Sequence, residues 1–223
     1  MLHLGSIGGT TIDVDLTFII LIFFFALSAY DPQRGAAYAL VWAPILFISV
    51  LVHELAHAAA IALFGYGSSR IILGGIGGLT FNERRARPWH DVVISLAGPL
   101  SSFALAFLCA WIFTHVDYVM RDEMLKVFLP LMVSASVIWG EFNLLPIPPL
   151  DGGSAVRNLL RSFLREELAF VITTWIALPA GIAVVAYSLL VWRQFFVAIL
   201  IGWFTWNNYQ RWLLYRQRGY PDE

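Results

Sequence analysis

Three residues in the stretch VLVHELAHAAAIALFG, residues 50–65, have types and spacing that could do chemistry: His53, Glu54 and His57. Histidines four apart project from one face of a helix, one turn apart, so both imidazoles can reach one metal ion. Glu54 is offset enough from that face not to ligate, yet close enough to take a proton from a water at the metal. This is the logic of His-Glu-x-x-His in zinc hydrolases, where the metal makes hydroxide available near neutral pH and polarises the carbonyl under attack. So short a pattern also arises by chance. Its setting argues otherwise, because a charge at the bilayer centre costs about 3 kcal/mol on insertion scales and ionisable groups inside a span face functional cavities. The other histidines, His3, His90 and His115, read as interfacial residues near span ends.

Two histidines do not complete a site, since catalytic zinc usually has three protein ligands plus water. The candidates for a third are Asp13, Asp15, Glu141 and Asp151. The stretch NLLPIPPLDGG, residues 143–153, favours Asp151. Its prolines end a helix, and Gly152 and Gly153 predict a sharp backbone turn just after the carboxylate. Irregular backbone at membrane depth is tolerated only where it is buried or lines a cavity. An ordinary Pro-Gly loop leaving the membrane would have the same composition.

The elements that must carry these residues follow from composition. The chain has 223 residues, 59% of them hydrophobic and 13% charged. Soluble domains average about 45–50% apolar and about 25% charged, so the balance is that of a multi-pass membrane protein, read as one domain over 1–223. The net charge of −1 offers no basic field for nucleic acid. Cys109, the one cysteine, sits in an apolar run and cannot form an internal disulfide. No secretory signal is expected, since the first fifteen residues hold no Lys or Arg.

The fold class expected is all-α and polytopic, with about six transmembrane helices and a short glycine-rich β-hairpin after the second. Candidate spans are 16–30, 37–64, 89–115 and 125–145, followed by an apolar region, 168–209, broken only at Arg193 and read as two short spans. Pro179 is expected to kink the fifth. With six spans, ten Lys and Arg fall on one side and four on the other. The excess marks the cytoplasm, which predicts cytoplasmic termini and a site opening to that side. His53 then lies roughly 16 Å from the cytoplasmic end of its span at helical rise.

Two segments are not spans. RIILGGIGGLTF, residues 70–81, has short apolar runs around Gly74, Gly75, Gly77 and Gly78, which suits strands at a glycine turn. It is either a plain cytoplasmic hairpin or an edge that pairs with an extended substrate. Residues 154–165 are amphipathic, with Arg157, Arg161 and Arg165 recurring every four, as expected of a helix on an anionic leaflet.

HELAH in the second span, GGIGGL after it, AGPL in the third and NLLPIPPLDGG after the fourth together resemble the site-2 protease family of intramembrane zinc metalloproteases, related to peptidase family M50. The resemblance runs from about Gly5 through Gly153, and IDVDLTF resembles the strand that leads into the family's first span. It implies His53, His57 and Asp151 as ligands of one Zn2+ per chain and Glu54 as general base. It implies that Asn143 contacts substrate or steadies the site; a helix-capping or interhelical hydrogen bond is the plainer role. It also implies single-span membrane proteins as substrates, cleaved within the bilayer. Many members carry a PDZ domain or a CBS pair, and the expectation here is a minimal form with neither. A transporter would more often show internal repeats, and none is evident. Two histidines and one carboxylate also suit iron; zinc follows from the ligand types and the resemblance.

Overall fold

The structure is a computed structural model that describes residues 1–28, 35–82, 84 and 86–218. The chain divides into two compact units, residues 1–86 with 97–141, and residues 87–96 with 142–223.

The first unit begins with strands β1 (Leu2–Ile7) and β2 (Thr10–Val14), then helices α1 (Leu16–Ser28), α2 (Gly35–Leu40) and α3 (Trp42–Leu63). Strands β3 (Ser69–Gly74) and β4 (Gly77–Asn82) complete a sheet of order β1-β2-β3-β4. β2 and β3 run parallel, with Ile12 opposite Ile71 and Val14 opposite Leu73. Parallel neighbours need a long crossover, and the three helices supply it. The hairpin foreseen after the second span is therefore half of a four-stranded sheet, and the fold is not purely α. The inward side chains of β2 and β3 alternate as a half-buried sheet requires. Ile12, Val14, Ile71 and Leu73 meet Phe18 and Leu21 of α1 and Val50 and Ala58 of α3 in one core. The sheet is thereby fixed along the stretch of α3 that carries the histidines. α3 ends in a Schellman motif: the Tyr66 N–H reaches the Ile61 carbonyl and the Gly65 N–H that of Ala62, with Gly65 at φ +74°.

Helix α4 (Pro88–His115) starts in the second unit and continues into the first, where α5 (Glu123–Asn143) runs to Glu141. The second unit holds the irregular stretch 144–150, then α6 (Asp151–Arg161), α7 (Glu166–Tyr187), one π-helical turn (Ser188–Trp192) and α8 (Phe195–Arg218). Arg193, with φ 55°, turns the chain from the π-helical turn toward α8, at the charged break read from sequence. α7 is assigned as one unbroken helix through Pro179. α7 and α8 approach closely at Gly181, where a Cβ would strike the Thr205 side chain. Ile147 and Leu150 are buried with Ile201 and Phe204 of α8.

Among the described residues, four helices are long and apolar enough to cross a membrane: Tyr38–Leu63, Pro88–His115, Glu123–Asn143 and Glu166–Trp192. Six were expected. The first, α1, is 13 residues long as described, and positions 29–30 of the predicted span lie outside the described residues. The last, α8, is apolar at its start but carries Asn207, Asn208, Gln210, Arg211 and Arg216 in its second half, which lowers its hydropathy. α6 is amphipathic as expected, yet two of its cations have protein partners. Arg157 and Arg161 both pair with Glu166 at the start of α7, at 3.2 and 3.3 Å.

Candidate active site

His53, Glu54 and His57 lie on the buried stripe of α3, which also includes Leu46, Ser49, Val50 and Ile61. Their exposures are 1%, 4% and 7%, so protein rather than lipid surrounds them. Helical spacing brings the two imidazoles together, with ring centroids 4.9 Å apart and planes at 78°. The Trp139 indole of α5 stands edge-on to His53 at 6.3 Å.

α4 meets this pair at a glycine. A Cβ on Gly98 would collide with Nε2 of both His53 and His57. The two Nε2 atoms thus face one small space that exists because residue 98 has no side chain. The next turn of α4 meets His53 at Nδ1. Ser102 Oγ donates to the Gly98 carbonyl at 3.3 Å and lies 2.9 Å from His53 Nδ1. A hydroxyl that accepts from Nδ1–H leaves the imidazole lone pair on Nε2. Metal-bound histidines are commonly held in this way. Two imidazoles aimed at one cradle form a donor set that fits zinc.

Glu54 faces β4. Thr80 Oγ1 donates to Glu54 Oε2 at 2.6 Å. A Cβ on Gly78 would overlap the Glu54 side chain, so the absence of one lets the strand lie directly on the carboxylate. The other hairpin glycines meet different neighbours. Gly77, at φ +123°, has no room for a Cβ beside the Trp139 ring. Gly75 donates its N–H to Thr17 Oγ1 at 2.8 Å, and a Cβ on Gly74 would make only ordinary contact with the same threonine. β4 is an edge strand of the sheet.

The carboxylates once open as third ligand differ in setting. Asp13 is held by His3 Nδ1 at 2.9 Å and Arg70 Nη2 at 2.7 Å, and these hydrogen bonds keep its carboxyl below the usual range. His3 is thus on a strand, bonded to Asp13, rather than at a span end. Asp15 caps the start of α1 by accepting from the Thr17 hydroxyl and N–H, which lowers its pKa too. Glu141 is exposed. Asp151 belongs to the second unit and is the first residue of α6, where the helix dipole favours a negative charge.

Asn143 ends α5 and is half-buried. After it, the Leu145 N–H bonds to the Phe142 carbonyl, Ile147 to Leu145 and Leu150 to Ile147. Gly152 and Gly153 are helical and have no positive φ, so the turn predicted for them does not form. Their role is space: a Cβ on Gly152 would strike the Leu144 and Leu145 carbonyls, and one on Gly153 the Ile147–Pro148 peptide.

Sequence reasoning missed Gly98, Ser102 and Thr80. For Gly98 a signal was present, since AGPL places a glycine before a proline inside a helix. For Ser102 and Thr80 none was, because their partners lie 49 and 26 residues away.

The family model for Peptidase family M50 matches residues 41–187, about two thirds of the chain. A zinc metalloprotease of Methanocaldococcus jannaschii is 28% identical over 81% of this chain and 50% of its own length. A putative zinc metalloprotease, Rip3, of Mycobacterium tuberculosis is 30% identical over 70% of this chain and 43% of its own. Stage IV sporulation protein FB of Bacillus subtilis is 34% identical over 56% of this chain and 41% of its own. The chain thus spans about half the length of the curated relatives it matches. Its fold resembles that of the site-2 protease from M. jannaschii, with a TM-score of 0.64 at 21% identity, over 100% of this chain and 96% of that one. The chain belongs to Peptidase family M50, and with its apolar helices it is a multi-pass membrane protein.

Proposed function

From its membership of Peptidase family M50 we propose that the chain is an intramembrane zinc-dependent endopeptidase, hydrolysing peptide bonds within or near the transmembrane segments of membrane-protein substrates. One observation carries the reading. Two imidazoles and a carboxylate are buried on a single stripe of a membrane-length helix, and both Nε2 atoms face the space kept open at Gly98. Nothing in a purely structural helix calls for that combination.

In this reading His53, His57 and Asp151 hold zinc, which when bound would acidify a water and polarise the scissile carbonyl. Glu54 accepts a proton from the attacking water at a carboxylate oxygen and passes it to the departing amine. Thr80, donating to Oε2, keeps the carboxylate in one rotamer. Ser102 keeps His53 in the metal-binding tautomer. A helical substrate hides its carbonyls in internal hydrogen bonds and must unwind before attack. The β4 edge supplies backbone groups that can pair with the unwound strand; Gly74, Gly75, Gly77, Gly78 and, separately, Asn143 are the further residues read as substrate-binding or site-supporting. The Lys and Arg bias supports cytoplasmic termini and a site that opens to that side.

The test is reconstitution with a tagged single-span substrate, comparing wild type with Glu54→Gln while measuring bound zinc. Both proteins should hold zinc and only wild type should cleave. Undiminished cleavage by the variant would sink the mechanism, and zinc flux without cleavage would point to a transporter.

A further inference from the structure

Asn208 lies on α8, beyond the stretch matched to the M50 family. It is polar, 4% exposed, and sits in a helix whose outward face is rich in Trp. Its Nδ2 donates to the Phe204 carbonyl of its own helix at 2.9 Å and to the Pro148 carbonyl at 2.5 Å. Both amide protons are thereby used.

The Pro148 carbonyl belongs to a stretch short of backbone donors. Pro146, Pro148 and Pro149 contribute no N–H, and the N–H groups of Leu145, Ile147 and Leu150 bond to the Phe142, Leu145 and Ile147 carbonyls. Side-chain packing is also incomplete there. A cavity of about 220 Å3 opens beside the stretch, lined by Pro148, Pro149, Trp203, Phe204, Asn207, Asn208 and Arg211. The inner side, in contrast, is tight. The Ile147–Pro148 peptide lies where a Cβ of Gly153 would be, so a shift of Pro148 is transmitted to the first turn of α6, which begins with Asp151.

We propose that Asn208 is a positioning residue for the Asp151 carboxylate, acting through the Pro148 carbonyl. α8 is then more than an anchor: it holds the backbone on which one metal ligand is mounted. The inference rests on the reading of Asp151 as a zinc ligand.

Zinc affinity of the purified full chain, measured by chelator competition, tests it. The readout is repeated as the visible spectrum of the Co2+-loaded protein, which reports ligand number and geometry. The variants are Asn208→Asp, which keeps shape but presents a carboxylate to a carbonyl, and Asn208→Leu, which removes the donor. Gly181→Ala is the control, because it disturbs the same α7–α8 pair at Thr205 without touching the proline stretch. Both Asn208 variants should bind zinc at least about tenfold more weakly, the range typical of outer hydrogen-bond partners of ligands. They should also show an altered Co2+ spectrum. Gly181→Ala, compared at matched thermal stability, should show neither change. Wild-type affinity and spectrum in Asn208→Asp would overturn the inference, as would equal loss in the control. Asp151→Ala separates the premise: if it binds zinc like wild type, the ligand reading fails and the inference with it. Loss of zinc in Asp151→Ala but not in the Asn208 variants overturns the inference alone.

Discussion

The buried stripe of α3 and the proline stretch before α6 deliver polar groups by opposite means. α3 is a regular helix. Its 3.6-residue period alone aligns His53 with His57, and neighbours adapt to it: Gly98 withdraws a side chain, Gly78 lets β4 approach, and Ser102 and Thr80 add hydrogen bonds. The stretch 144–150 has no period to rely on. Its prolines lack donors, its backbone meets backbone at Gly152 and Gly153, Ile147 and Leu150 pack against α8, and a distant amide, Asn208, satisfies one carbonyl. A side chain on a regular element is positioned by its own helix and tuned from outside. A residue that follows an irregular stretch, as Asp151 does, depends more on contacts from outside.

Substitutions can break or sharpen that contrast. The largest effect is expected from Gly98→Val. Its side chain fills the space both Nε2 atoms face, so bound zinc by elemental analysis should fall to background although α3 is unchanged. Ser102→Ala leaves the helix to place His53 but releases its tautomer, and zinc affinity should drop about 10–100-fold; an unchanged value would mean that α3 needs no outside tuning. Gly153→Ala forces a Cβ into a peptide that cannot swing aside. A cost of about 1–3 kcal/mol is expected, read as a lower denaturant midpoint. If Gly153→Ala were harmless, the backbone contact would not be what places α6. Thr80→Val should lower kcat about tenfold with KM little changed, and Thr80→Ser should restore it, since the hydroxyl and not the methyl holds Glu54.

The smallest effect concerns the sheet beneath α3. Asp13 is held by His3 and Arg70, and its folded pKa is depressed below the ordinary 3.8. A depressed carboxylate contributes stability above its unfolded pKa and loses it as pH falls through the folded value. Thermal stability of the wild type should therefore fall below about pH 4, and Asp13→Asn should flatten that slope. An equal acid slope in both would remove Asp13 from the account.

Much of the first unit was legible beforehand because its signals are local. His53, Glu54 and His57 declare themselves by spacing in an apolar run, and the glycines at 74–78 mark a hairpin. The partnership of Ile12 with Ile71 was not legible. Parallel strands separated by three helices leave no short-range signature, and the hairpin was read as standing alone. Gly152 and Gly153 were misread for a related reason. A glycine chosen for φ and a glycine chosen for space look identical in sequence, and only neighbouring backbone tells them apart.

The sequence by itself determined the membrane class, the pairing of His53 with His57 and the place of Glu54 beside them. These follow from hydropathy and helical period, which are properties of consecutive residues. Tertiary structure alone decided which Nε2 space Gly98 keeps open, which oxygen of Glu54 meets Thr80, and that Asn208 holds Pro148. Each of those depends on atoms far apart along the chain coming within hydrogen-bond or van der Waals distance, and no local pattern encodes such distances.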